Sequence, residues 1–181
     1  HTRLQGDWSS DVCSSDLSVH ALSKLTTKTG KVVFTSNAPL EKIEATSNTL
    51  NGAMDLSSNT FAFSIEVKTF TGFNSALQQE HFFENYMETD KFPKATFSGK
   101  LIDPIKPEAT QQKVRAKGAL NVHGVSKERI IEVTILKKGS GYEISSNFNV
   151  SLNDHNIVIP KVVSQKISES IAVSIQGNMA Q

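Results

Sequence analysis

The chain has one cysteine, Cys13, and one tryptophan, Trp8, and both fall in the stretch DWSSDVCSSDL, Asp7 to Leu17. The rest has no disulfide framework, which a domain of this size does not require. Long apolar runs are missing too: no window reaches 18 apolar residues, so the chain offers no transmembrane segment. Strong charge is absent, with a formal net charge of +1. That balance gives no general reason to expect a nucleic acid or an anionic surface as partner, and Lys137-Lys138 and Lys91/Lys94 are too sparse for a nucleic-acid track. Templates of catalysis and metal binding are missing as well. There is no HExxH, CxxC or His-x-His spacing, no GxSxG elbow, no GxGxxG and no P-loop. Glu80 and Glu84 sit one helical turn apart, a spacing that usually marks a solvated face. The sequence therefore reads as a non-enzyme with no metal and no cofactor motif.

What is present begins at Ser18. Residues 7–17 have no helical or strand periodicity; they read as a disordered, polar N-terminal arm or, by their resemblance to a translated sequencing adaptor, as a non-native scar, and residues 1–17 are set aside on the second reading. Without them the bases fall from 19 to 18 (Arg3) and the acids from 18 to 15 (Asp7, Asp11, Asp16), leaving +3. Residues 18–23 read as the remnant of a signal peptide, with Val19 and Ala21 at the small-residue positions of an A-x-A-like cleavage site, or else as an ordinary first strand or arm. The signal reading implies a periplasmic or secreted protein whose mature chain starts near Leu22 or Lys24. Residues 24–181 then form one domain.

Its pattern is strands. Phe61, Phe63, Ile65 and Val67 alternate with Ala62, Ser64, Glu66 and Lys68, the period of a half-buried antiparallel strand. Val114, Ala116, Leu120 and Val122 repeat the pattern, followed by Ile131, Val133 and Ile135, then Ile144, Phe148, Val150 and Leu152, and last Ile171, Val173 and Ile175. Earlier, KVVFTS, LEKIEATS and LNGAMDL read as shorter strands broken by Asn, Pro and Gly. Turn residues separate these runs, so the fold class is all-β, an antiparallel sandwich or barrel of about eight strands. One segment departs from the rhythm. Ser75 with Gln78 is a capping-box pattern for a short helix near residues 75–88, with Phe82, Phe83, Tyr86 and Met87 as an apolar stripe and Pro93 as its stop.

Two motifs add a resemblance. HFFENYMETDKFPKATFSGKL, with His81-Phe82 and Lys91-Phe92-Pro93-Lys94-Ala95-Thr96-Phe97, is followed by Val122-His123-Gly124-Val125-Ser126. Together they resemble the YceI-like family, over roughly Lys24 to the C-terminus and in its shorter, divergent branch. The family's usual D-x-x-H-S-x-V-x-F opening is replaced here by TTKTGKVVFTSNAP, so contacts from that opening do not carry over. The resemblance implies a lipocalin-like barrel whose interior holds a small amphipathic lipid: a polyisoprenoid, an isoprenoid quinone or a fatty-acid derivative. A barrel of about eight strands has room for one slim ligand or for side chains alone. The ligand wall is then expected among Phe61, Phe63, Ile65, Val67, Phe73, Leu77, His81, Phe82, Phe83, Tyr86, Phe92, Phe97, Leu120, Val122, His123, Ile131, Val133 and Phe148.

His81 and His123 are expected to form a structural clasp between helix and strand, or else one of them meets a head group; His155 is expected in an exposed turn. The competing functional reading is an envelope structural or protein-interaction module with a filled barrel, and a homodimer is compatible with either. Deleting residues 1–17 is expected to shift the melting temperature by under about 2 °C, measured by differential scanning calorimetry. A loss of several kcal/mol would make the segment part of the fold.

Overall fold

A computed structural model describes residues 24–181, so the expectations for residues 1–17 and 18–23 lie outside the described residues. Eight strands follow in chain order: β1 (Lys24–Asn37), β2 (Lys42–Asp55), β3 (Thr60–Glu66), β4 (Lys94–Leu101), β5 (Gln111–Val122), β6 (Val125–Lys138), β7 (Gly141–Ser151) and β8 (Ser170–Met179). Each pairs antiparallel with the next, and β8 returns to β1 through five pairs, Lys31–Thr35 with Ala172–Gln176. The result is a closed up-and-down barrel, the all-β class that the periodicity predicts. In β5 the alternation is complete: Val114, Ala116 and Leu120 are buried while Lys113, Arg115 and Lys117 face solvent.

The first two strands are longer than their sequences suggest. LEKIEATS and LNGAMDL form one strand, β2, and β1 starts at Lys24, each running 14 residues. Two opposed bulges explain the difference. Thr27 faces Gly52, Gly30 faces Leu50 and Val32 faces Ser47, so β1 carries one extra residue and β2 carries the next. Each bulge flips the inward parity of its strand, from Leu25 and Thr27 to Gly30 and Val32, and from Ile43, Ala45 and Ser47 to Leu50 and Met54. Asn48 and Thr49 are thus absorbed within the ladder and do not end it.

Two ladders stop halfway. β2 pairs with β3 only over Asn51–Asp55, and β6 pairs with β7 only over Thr134–Lys138. Towards the end that carries the β3–β4 and β7–β8 connections, here the upper end, the barrel therefore splays along two seams. The β3–β4 connection plugs the first: Thr71 exchanges backbone hydrogen bonds of 2.8 and 2.9 Å with Thr46 of β2. The β7–β8 connection plugs the second with the single turn Leu152–His155, whose His155 Nδ1 donates to the Val125 carbonyl of β6 at 2.9 Å. His155 is 1% exposed, which corrects the expectation of an exposed turn; its ring fills the seam. Arg129 of β6 lies 5.1 Å over the Phe148 ring of β7 across the same seam.

The helix α1 (Ala76–His81) starts where the capping signal places it. Ser75 Oγ accepts from the Gln78 amide at 3.1 Å, and the Gln78 side chain accepts from the Asn74 amide at 2.9 Å. It continues into a wide π turn, Phe82–Tyr86, in which the Met87 amide donates to the Phe82 carbonyl five residues back. Pro93 is not what ends it. Glu88 adopts a left-handed φ of 47° and the Thr89 amide closes onto the Phe83 carbonyl, so the chain reverses before reaching the proline.

His123 and Gly124 form the two-residue link between β5 and β6, with φ of 55° and 73°, the left-handed pair of a type I′ hairpin. A Cβ on Gly124 would lie 2.4 Å from the Phe92 ring. Gly124→Ala is expected to destabilise the fold by about 1–3 kcal/mol, from backbone strain plus overpacking. A lower urea midpoint at unchanged m-value would show it.

Candidate functional site

The upper, splayed half of the barrel holds a cavity of about 210 Å³, lined by the wall and the two plugging connections. Its walls are nearly all hydrocarbon: Val32, Leu50, Ile65 and Val173 are among the strand contributors. Its upper side is aromatic. Phe82 from the π turn stacks on Phe34 of β1 at 5.0 Å and 19°, Phe70 meets Phe34 edge-on at 5.1 Å, and Phe73 lies 5.0 Å from Phe82. Two of the four polar side chains on the wall, which also include Tyr86 and Thr96, are engaged elsewhere: Ser36 Oγ accepts from the Ser168 amide at 2.9 Å, and Gln78 donates to Glu41. Among the described residues no buried side-chain nitrogen or oxygen lacks a partner. The site therefore offers shape and apolar surface, with no group aimed at a reacting atom.

The structure brings many of the sequence-predicted residues to this cavity. Phe63, Ile65, Val67, Phe97, Leu120, Val122 and Phe148 line it from the strands, and Phe73, Phe82 and Tyr86 from the β3–β4 connection. Phe61, Ile131 and Val133 border instead a smaller void in the lower half. Five residues lie elsewhere. Leu77 is 60% exposed and His81 faces solvent, because the helix turns Gln78 inward. Phe83 packs edge-on behind Phe73 and Phe82, and Phe92 and His123 pack against each other at 5.0 Å beside the hairpin turn. Sequence reasoning passed over Phe34, Phe70, Ile157, Ile159 and Ile167, all on the wall. For Phe34 the signal was the Val32-Phe34-Ser36 alternation, and for Ile157 and Ile159 the alternation in NIVIP.

Known proteins share this architecture. Residues 19–179 match the YceI-like domain. The chain belongs to the YceI-like family. A polyisoprenoid binding domain from Saccharophagus degradans superposes on it with a TM-score of 0.72 at 11% identity, covering 87% of this chain and 97% of its own. BcnA of Burkholderia cenocepacia gives 0.68 at 14%, covering 84% and 96%, and a YceI protein of Campylobacter jejuni gives 0.54 at 16%, covering 77% and 86%. At such identities the likeness is one of fold. No curated protein matches the sequence.

In this YceI-like domain two of the described histidines, His123 and His155, meet, and His81 shares no hydrogen bond with them. Among the described residues no three His, Cys, Asp or Glu side chains come close enough to hold an ion. His123 instead ties three elements together: its Nδ1 donates to the His155 carbonyl at 3.0 Å and its Nε2 meets a Glu88 carboxylate oxygen at 2.6 Å. The clasp between helix and strand is thus built from His123, Glu88 and His155, and His81 has no part in it. The hydrogen bond from His123 holds the Glu88 carboxyl below its ordinary 4.5, with Lys91 adding to the effect. At the cavity rim, amide donors from Asn74 and Gln78 hold Glu41 low in the same way. Burial pushes the Tyr86 phenol up, keeping it neutral.

A carboxyl depressed by folding stabilises the folded state above its ordinary pKa, and that contribution disappears as pH falls through the folded value. The stability difference between the native protein and Glu88→Gln is therefore expected to shrink as pH drops below about 4.5. Urea titrations at a series of pH values measure it. A difference that does not change with acidification would remove the clasp from the account.

Proposed function

We propose that this domain binds one long-chain amphipathic lipid of the polyisoprenoid or isoprenoid-quinone class, with its hydrocarbon chain in the upper cavity. The observation that carries the reading is the apolar cavity of about 210 Å³ inside a closed barrel. Water is a poor occupant, because it needs two to four polar partners and apolar cavities of about 150 Å³ stay dry and accept a benzene-sized solute. At about 24 cal/mol per Å³, filling the cavity with hydrocarbon is worth on the order of 5 kcal/mol. That is a large fraction of the 5–15 kcal/mol that stabilises a typical domain. The likeness to a neighbour described as polyisoprenoid-binding supports this ligand class.

The role that suits such a site is carriage or sequestration, without chemistry on the ligand. The compartment we propose is outside the cytoplasm, on the A-x-A-like spacing of Val19 and Ala21.

Organic extraction of protein purified from its native host, followed by mass spectrometry, is expected to return a stoichiometric long-chain lipid. Val173→Phe places a ring inside the cavity and is expected to lose that lipid while raising the stability of the delipidated protein by about 0.5–2 kcal/mol. Empty extracts from native-host material would favour a barrel that acts through its surface.

A further inference from the structure

Below the upper cavity lies a separate void of about 60 Å³, bounded by Met54, Leu101 and Ile144 among others. Both spaces touch the same three side chains, Phe63 of β3, Phe97 of β4 and Ile175 of β8. Phe63 and Phe97 face each other directly in the β3–β4 ladder, and Phe61 packs beneath them at 6.1 and 5.1 Å. Phe63 also packs against both the upper and the lower clusters of the core. Its ring is seated by the sequence of β2: Gly52 lies opposite, and a Cβ there would come within 2.2 Å of the ring. The barrel interior is thus one apolar column crossed by a partition, and the partition lies between its splayed upper half and its closed lower half.

Resting on the lipid-binding reading, the geometry points to Phe63, Phe97 and Ile175 as the stop that sets how long a chain this domain accepts. A chain that fills the upper cavity ends against the two rings, and the lower void lies out of its reach. Shortening a partition residue joins the two spaces. At about 30 Å³ per group the lower void takes about two methylenes. Each is worth a factor of about four, since burying a methylene contributes about 0.8 kcal/mol. The preference for a longer chain over one that just fills the upper cavity should then rise roughly fifteenfold.

The test measures displacement of cis-parinaric acid from the purified, delipidated protein by straight-chain alcohols from hexanol to dodecanol, which bracket the roughly seven groups of about 30 Å³ that the upper cavity holds and the roughly nine that the joined spaces would hold. In the native protein affinity is expected to level off along the series. Ile175→Ala should move that plateau to the longer alcohols by the factor above, and Phe97→Leu should do the same, carrying the test if Ile175→Ala does not fold. Ala116 lines the lower void, so adding Ala116→Val to either variant should fill the new space and restore the native profile. Folded partition variants with the native chain-length profile overturn the stop while leaving lipid binding intact. A native protein from which none of the alcohols displaces the probe, or which does not take up the probe at all, overturns the stop together with the reading beneath it.

Discussion

The interior of this barrel depends on where two hydrogen-bond ladders end. Eight strands closed along their whole length leave a space that side chains can fill. Here β2–β3 and β6–β7 pair only in their lower halves, so the wall opens upward while the lower ring stays closed. The apolar residues of the upper half are held apart by that splay, and the cavity is the volume they cannot fill. The plugs follow from the same constraint. A splayed edge exposes backbone groups that must find partners, and Thr71 and His155 supply them from the two long connections. Those connections also supply much of the cavity's aromatic and aliphatic cover, so sealing the seams and building the site are one act.

The clasp on His123 belongs to this arrangement. The hairpin link between β5 and β6 stands at the upper rim, with the end of the π turn on one side and the seam-filling turn on the other. One imidazole bonded to both fixes the positions of the two covers relative to each other. The left-handed backbone at Glu88, His123 and Asn156 is concentrated in these three touching turns. Such conformations persist where surrounding contacts hold them.

Much of this was legible in the sequence, and the exceptions have physical causes. β3 and β5 announce themselves because their parity is unbroken, and Ser75 with Gln78 marks the helix start that the structure uses. β1 and β2 were hidden because their bulges reverse the parity midway, which reads as an interruption when one strand is viewed alone. Phe70 sits in an aperiodic link, where no pattern tells inside from outside. Leu77 was expected on the ligand wall, but the short helix turns Gln78 inward at that level and the wall is carried on by Phe82 and Tyr86. His155 has the neighbours of a surface turn, and only the open seam beside β6 gives its ring a place to be buried.

The closing ladder has a consequence for how the chain reaches this state. Seven of the eight pairings join consecutive strands, whereas β1 and β8 bring together positions as far apart as Lys31 and Gln176. Loop-closure entropy rises by about 0.6 kcal/mol for each doubling of the loop, so joining these ends costs about 3 kcal/mol more than closing a short hairpin such as that between β1 and β2. Only five ladder pairs and the single bridge of Thr26 with Ala180 reward it. The meander can therefore assemble as an open, curved sheet and close last, and until then both terminal strands are free edges of the kind that recruit another chain. Closure in this protein is a kinetic event in which β8 of the same molecule competes with β8 of its neighbour. Dilution during refolding, by slowing only the second of these, favours the monomeric barrel.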